Sequence, residues 1–177
     1  MQTSKIGCAV ICSIILLTFN VRAQAQSSPA SQSGTFGVGY QGSWPAHGLS
    51  AVYNASPEIG IQGIFGFIGD LRSYYGRILY RFNQKDQTWG RSGMYAYGLA
   101  GAFSYPGLAY DADGFGLHET RETVPGFGAG TGWEARWDNN IGVNLELGFS
   151  VVSFEDIDYD FSAIMLGAGI HYYFGSR

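Results

Sequence analysis

Between Ile141 and Phe174 the chain alternates apolar with small or polar residues at every step, a pattern that few folds accept. First Ile141, Val143, Leu145, Leu147, Phe149 and Val151 change places with Gly142, Asn144, Glu146, Gly148 and Ser150. Then Ile164, Leu166, Ala168, Ile170, Tyr172 and Phe174 change places with Met165, Gly167, Gly169, His171 and Tyr173. A period of two puts one set on each face of a strand, whereas a helix would scatter both around its axis. Each run exceeds ten residues, longer than the ~5–6 of an ordinary soluble strand and near the ~9–11 that carry a tilted strand across a bilayer. The pattern predicts strands with one greasy face, long enough to cross a membrane.

Composition bears on whether lipid covers that face. The 177 residues leave room for one domain, and they include 27 Gly, 12 Tyr, 12 Phe and 4 Trp with only 14% charged residues. A soluble surface needs more charge than this. A membrane barrel needs little, and it places aromatics at its two interfaces.

Residues 1–25 read as a cleaved export signal: Lys5, an apolar run from Ile6 to Phe19, and the small-x-small site Ala23-Gln24-Ala25. The apolar run falls short of the ~20 residues of a spanning helix. Cys8 and Cys12 both lie inside it, so the mature chain holds no thiol, no disulfide and no thiolate metal site. Removing Lys5 and Arg22 leaves 8 basic against 14 acidic residues, a net charge of −6 that argues against a nucleic-acid partner. Residues 26–34 form a Ser/Gln-rich leader, 35–174 the folded unit, and 175–177 a short tail.

From Thr35 the alternation yields eight strands and no helix. Strand one sets Phe36, Val38 and Tyr40 outward against Gly37, Gly39 and Gln41, and ends in a Trp44-Pro45-Ala46-His47 turn. Strand two, about 48–54, shows Leu49, Ala51 and Tyr53; strand three, about 58–68, shows Ile59, Ile61, Phe65 and Phe67. Strand four, about 73–82, opposes Tyr74, Ile78, Tyr80 and Phe82 to Tyr75, Arg77, Leu79 and Arg81. Residues 83–92 read as a polar connection. Strand five, about 93–103, puts Tyr95, Tyr97, Leu99 and Phe103 on the apolar face and Met94, Ala96, Gly98, Ala100 and Ala102 on the other. Tyr105 to Glu122 reads as a long polar loop. Strand six, about 124–137, alternates Phe127, Thr131, Trp133 and Trp137 with Gly128, Gly130, Gly132, Glu134 and Arg136, then turns through Asp138-Asn139-Asn140. Glu155 to Asp160 links the last two strands. An even number of strands puts both ends on one side, with the long loops on the other.

The expected fold is an all-β, eight-stranded, antiparallel up-and-down transmembrane barrel. Its lumen is only wide enough to be filled by side chains. The inward set is Gln41, Gln62, Tyr75, Asn144 and Tyr173 with a charged group of Arg77, Arg81, Glu134, Arg136, Glu146 and His171. Charges in so dry a space must pair. A gate or proton relay is one reading of that network; a structural plug is the favoured one. Glu146 and His171 on neighbouring strands suggest an acid/base pair, but no Ser stands at a convincing nucleophile position beside them. The acidic pairs Asp111/Asp113 and Asp156/Asp158/Asp160 could bridge a divalent cation to lipopolysaccharide, yet they lack calcium-loop spacing and read better as a solvated cap. The run Gly126-x-Gly128-x-Gly130-x-Gly132 lacks the strand-turn-helix context of a nucleotide loop. No catalytic residue, metal site or cofactor is assigned.

The stretch from Gly132 to Glu146, a Gly-aromatic-Glu strand turning through Asp-Asn into an alternating strand with an inward Glu, resembles the penultimate hairpin of the small outer-membrane barrels of the OmpA/OmpX type. The last strand is similar to the signal read by the barrel-assembly machinery in that family: Phe174 with Leu166, Ala168, Ile170 and Tyr172 at every second position before it. Three residues, Gly175-Ser176-Arg177, follow the aromatic on which the family ends. The resemblance covers about residues 35–174. It implies a monomer in the bacterial outer membrane, surrounded by outer-membrane lipids and lipopolysaccharide, that meets an extracellular partner through its loops. It implies a non-enzymatic envelope or adhesion role. A few relatives are lipid-A-modifying enzymes, but the deacylase's His-x-Ser pair has no match, since His47, His118 and His171 precede Leu49, Thr120 and Tyr173 at that spacing. A soluble lipocalin-like barrel would need its large apolar face turned inward.

Overall fold

The computed structural model describes residues 33–43, 47–68, 71–110, 117–154 and 159–175. Residues 1–32, expected as the signal peptide and most of the leader, lie outside these residues, as do 44–46, 69–70, 111–116, 155–158 and 176–177. The described residues form eight strands: β1 (Thr35–Ser43), β2 (His47–Asn54), β3 (Ile59–Ile68), β4 (Leu71–Gln87), β5 (Gly90–Tyr110), β6 (Leu117–Trp137), β7 (Ile141–Phe154) and β8 (Tyr159–Phe174). Each pairs antiparallel with its neighbour in sequence, and β1 meets β8 from Phe36↔Phe174 to Ser43↔Gly167, closing the barrel. The expected all-β, eight-stranded, antiparallel up-and-down barrel is the observed architecture. Closure follows from the alternation, because a sheet this apolar on one side and lined with charges on the other leaves no edge that water could cap.

The two faces separate as the period of two requires. Ile78, Ile164 and Leu166 are 65%, 77% and 74% exposed, whereas Gln41, Arg77 and Met165 on the other face are 0%, 1% and 1% exposed. Aromatics gather where strands reach the end that holds the termini. Trp89 lies 5.8 Å from Trp137, Tyr172 4.9 Å from Phe174, and Tyr80 6.4 Å from Phe82. Toward the opposite end Phe65 packs on Phe67 and Tyr74 at 6.0 and 5.1 Å.

Strand five corrects the sequence reading. Tyr95, Tyr97, Leu99 and Phe103 point inward and are 3–6% exposed, while Met94, Gly98 and Ala100 face out. Size contrast alone cannot orient a strand whose two faces are large-apolar and small-apolar; its partner decides. Tyr95, Tyr97 and Leu99 pair directly with Gly132, Gly130 and Gly128, and direct partners share a face. The glycine column of β6 would leave that side of the lumen hollow, and the β5 row fills it.

The connections also differ from expectation. Residues 83–92 are mostly strand, with Lys85, Asp86 and Gln87 opposite Ser92, Arg91 and Gly90 after a bulge at Phe82/Lys85. Asn83 absorbs the bulge in a left-handed conformation (φ 52°), which asparagine tolerates better than most residues. Within the stretch expected as a polar loop, residues 105–110 and 117–122 are strand: the β5–β6 ladder continues through Tyr105↔Glu122 to Tyr110↔Leu117. Alternation detects strands with one greasy face, and this stretch of the sequence carries no such period. His47, taken as part of a turn, opens β2, and Tyr159 and Asp160 open β8.

Two glycines test the link between space and fold. A Cβ on inward Gly130 would meet Tyr97 Oη at 2.6 Å and the Leu147 carbonyl at 2.5 Å, whereas one on outward Gly63 meets nothing within 4 Å. Gly130→Val should cost about 3 kcal/mol by overpacking and Gly63→Val less than about 0.5. Urea unfolding of the refolded protein checks both; equal costs would contradict the filled-lumen geometry.

Candidate functional site

The lumen is built in rows of directly paired inward residues, and glycines let the side chains between them meet. One row runs Tyr95–Gly132–Glu146–Gly167–Ser43 across β5, β6, β7, β8 and β1. With no side chain on Gly132, the Tyr95 hydroxyl crosses β6 and donates to Glu146 Oε1 at 2.6 Å. Gly167 keeps the next position open, since a Cβ there would meet Ser43 Cβ at 2.4 Å and Glu146 Oε2 at 3.2 Å. Arg77 enters from β4 on the far wall. Its Nη1 donates to both Glu146 oxygens at 2.9 and 3.0 Å, and its Nη2 donates to Ser43 Oγ at 2.7 Å. The Arg77 guanidinium also covers the Tyr97 ring at 4.6 Å. The ion pair is sealed, with side chains 0% and 1% exposed.

A second group lies nearer the end that carries the termini. Arg81 Nε donates to Glu134 Oε2 at 3.0 Å, and the Tyr173 hydroxyl donates to Glu134 Oε1 at 2.6 Å. Arg136 stacks on the Tyr173 ring at 4.2 Å. The same glycine device recurs in a third group. Gly39 stands between His171 and Ser50 in the paired row, and across it His171 Nε2 and Ser50 Oγ come within 2.9 Å. Ser50 Oγ accepts from Gln62 Nε2 at 2.8 Å, and Gln41 exchanges bonds with Asn144 over Gly169 at 3.2 and 3.3 Å.

All six charged or titratable residues singled out in the sequence, Arg77, Arg81, Glu134, Arg136, Glu146 and His171, therefore stand in one lumen, but in separate groups. Glu146 and His171 do not form a pair: Glu146 is held by Arg77 and Tyr95, and His171 by Ser50. The expectation that no Ser stands at a convincing nucleophile position concerned local spacing; Ser50, 121 residues from His171 in sequence, does meet its ring. Sequence reasoning also missed Ser43, Tyr95 and Tyr97, all on the inward face. The Ser43 signal was its place two residues beyond inward Gln41, and the two tyrosines needed the β6 register. Ser50 and His171 are 5% and 2% exposed, and among the described residues no carboxylate is hydrogen-bonded to the imidazole. The pair has neither the access nor the orienting acid that nucleophilic catalysis requires. Among the described residues no cluster of His, Cys, Asp and Glu could hold a metal ion; the side chains of Asp111, Asp113, Asp156, Asp158 and Asp160 lie outside them. Leu166, Ile170, Tyr172 and Phe174 project from the outer face of β8, with Ala168, at the seam where β8 closes on β1.

No family model and no curated protein matches the chain. Among solved structures it is similar to the N-terminal β-barrel domain of Pseudomonas aeruginosa OprF, at 15% identity and TM-score 0.48 over 80% of this chain and 98% of that one. It is also similar to Neisserial surface protein A, at 17% identity and TM-score 0.30 over 80% and 98%. For the Yersinia pestis outer membrane protein Ail the values are 17% and 0.22 over 79% and 97%.

Removing one partner of the sealed ion pair leaves a bare buried charge. Glu146→Gln should destabilise the barrel by about 3–5 kcal/mol, and Arg77→Met combined with Glu146→Leu should recover most of that loss. Urea titration of the single and double variants measures both; a double variant no better than the single would show that the pair does more than fill and neutralise the lumen.

Proposed function

We propose that the protein is a non-enzymatic barrel of the bacterial outer membrane, exported by its N-terminal signal and inserted by the barrel-assembly machinery, with Leu166, Ala168, Ile170, Tyr172 and Phe174 as the recognised strand. The observation that carries this reading is the continuous apolar outer wall: Ile61, Ile78, Leu145, Leu147 and Ile170 are each more than half exposed in mid-barrel, and aromatic residues gather toward the strand ends. In water such a surface would drive aggregation; in lipid it is the stable arrangement. The barrel works as a monomer among outer-membrane lipids and lipopolysaccharide. Its structural, adhesion or surface-interaction role belongs to the side opposite the termini, where the β5–β6 ribbon extends. The sealed lumen serves as a plug. A soluble lipocalin-like barrel is disfavoured, since the large apolar face is outside and the interior is occupied by ion pairs.

A lipid-modifying enzyme is the rival reading. Mass spectrometry of lipid A from cells with and without the protein should show identical species; a changed acyl or sugar pattern would establish the enzyme. The membrane reading has its own test. Leu147→Arg puts a cation on the outer wall halfway along β7 and should cost about 2–4 kcal/mol and block insertion. The wild-type protein should resist carbonate extraction and migrate differently on a gel before and after boiling; carbonate-soluble, heat-insensitive protein would rule out the membrane barrel.

A further inference from the structure

The outer wall is hollowed across its first four strands. The directly paired outward residues Ala51, Gly63 and Gly76 of β2, β3 and β4 make a floor with almost no side chain. A Cβ added at Gly63 would meet nothing within 4 Å, and one at Gly76 only the Ala100 carbonyl at 4.0 Å. The next outward row, toward the end opposite the termini, is large: Tyr40, Leu49, Phe65 and Tyr74 are direct partners from β1 to β4. Between floor and row lies an open trough of about 1080 Å³. That exceeds the ~300–1,000 Å³ of ordinary small-molecule sites. With strands ~4.8 Å apart, the trough runs about 14 Å from β1 to β4.

One edge of this apolar trough is polar and cationic. Tyr40 and Tyr74 bring phenols to it, and Arg72 stands two residues beyond Tyr74 on the same face of β4, exposed and directly opposite Phe67. Among the described residues the ion pairs engage Arg77, Arg81 and Arg91, and Arg72 has none. An unpaired guanidinium beside an apolar trough suits an occupant with an anionic head and a hydrocarbon chain.

On the outer-membrane reading, we propose that the trough holds one acyl chain of a lipid A molecule whose phosphate rests on Arg72. This end of the barrel then lies in the outer leaflet, where lipid A is the phosphate-bearing lipid. The guanidinium fork matches phosphate oxygens. The two phenols stand between head and chain, where they can donate to the ester carbonyls. The chain covers the floor at Gly63 and Gly76, which no side chain of this barrel fills.

The test is native mass spectrometry of the folded protein, released from outer membranes in mild detergent and incubated with lipid A. One lipid A should stay on each barrel. Arg72→Gln, which removes the charge, and Gly63→Leu, which fills the floor, should each weaken retention about fivefold. Gly98→Leu, outward and equally open but outside the trough, should leave it unchanged. Lipid A stripped of its phosphates should be retained as poorly by wild type as lipid A is by Arg72→Gln. Should one variant not insert, the other decides. A wild type that keeps no lipid A, undiminished retention in Gly63→Leu, equal retention of phosphatidylglycerol, or a barrel dimer in place of the lipid adduct overturns the proposal. A barrel that still shifts on boiling yet keeps no lipid A sinks this inference alone, whereas one that does not shift sinks the membrane reading beneath it.

Discussion

A closed ring of eight strands leaves so little room inside that every charge entering it must find a partner there, and every large side chain must find a neighbour that has none. The Arg77–Glu146 pair shows both halves of this constraint. Its charges cancel across the lumen, from β4 to β7, and the carboxylate is reachable only because Gly132 and Gly167 flank it in the paired row. The His171–Ser50 bond repeats the arrangement across Gly39. The 27 glycines of this chain are therefore partly a packing solution: in these inward rows, bulk on one strand is matched by absence on the next.

The same constraint explains which parts of the architecture could be read from the chain alone. Where one face is greasy and the other polar, as in β7 and β8, the orientation of every residue follows from burial, and a slip by one would turn Glu146 onto the apolar outer face. Strand five carries no such contrast. Tyr97 and Ala100 are both acceptable to lipid, so their placement depends on Gly130 in a strand that begins after a long interruption. The inward position of the six charged residues was legible from alternation; their partners were not. Pairing across a barrel joins residues 69 or 121 positions apart, as in Arg77 with Glu146 and His171 with Ser50. The polar stretch after Tyr105 read as a loop for a related reason, since it lacks the apolar period that marks a strand.

The interior and exterior of this wall answer to different constraints. Outside, Ile164 and Leu166 need only be apolar, and neighbouring positions such as Gly63 and Gly98 have open space around them. Inside, a methyl group more or less matters. Substitution on the outer face is therefore governed by polarity and on the inner face by volume, which makes the barrel permissive on its outer wall and rigid in the direction of its core.

The length of β5 and β6 has a mechanical consequence. Each runs 21 residues, against eight in β2. At ~3.4 Å per residue that is ~70 Å against ~27 Å, so the ribbon outreaches an apolar band ~25 Å tall. Because its backbone is laddered to Tyr110↔Leu117, the paired length is a stiff ribbon rather than two independent strands. A molecule binding along such a ribbon meets a backbone already ordered by its ladder. Contact then costs less conformational entropy than it would on a free loop of the same length.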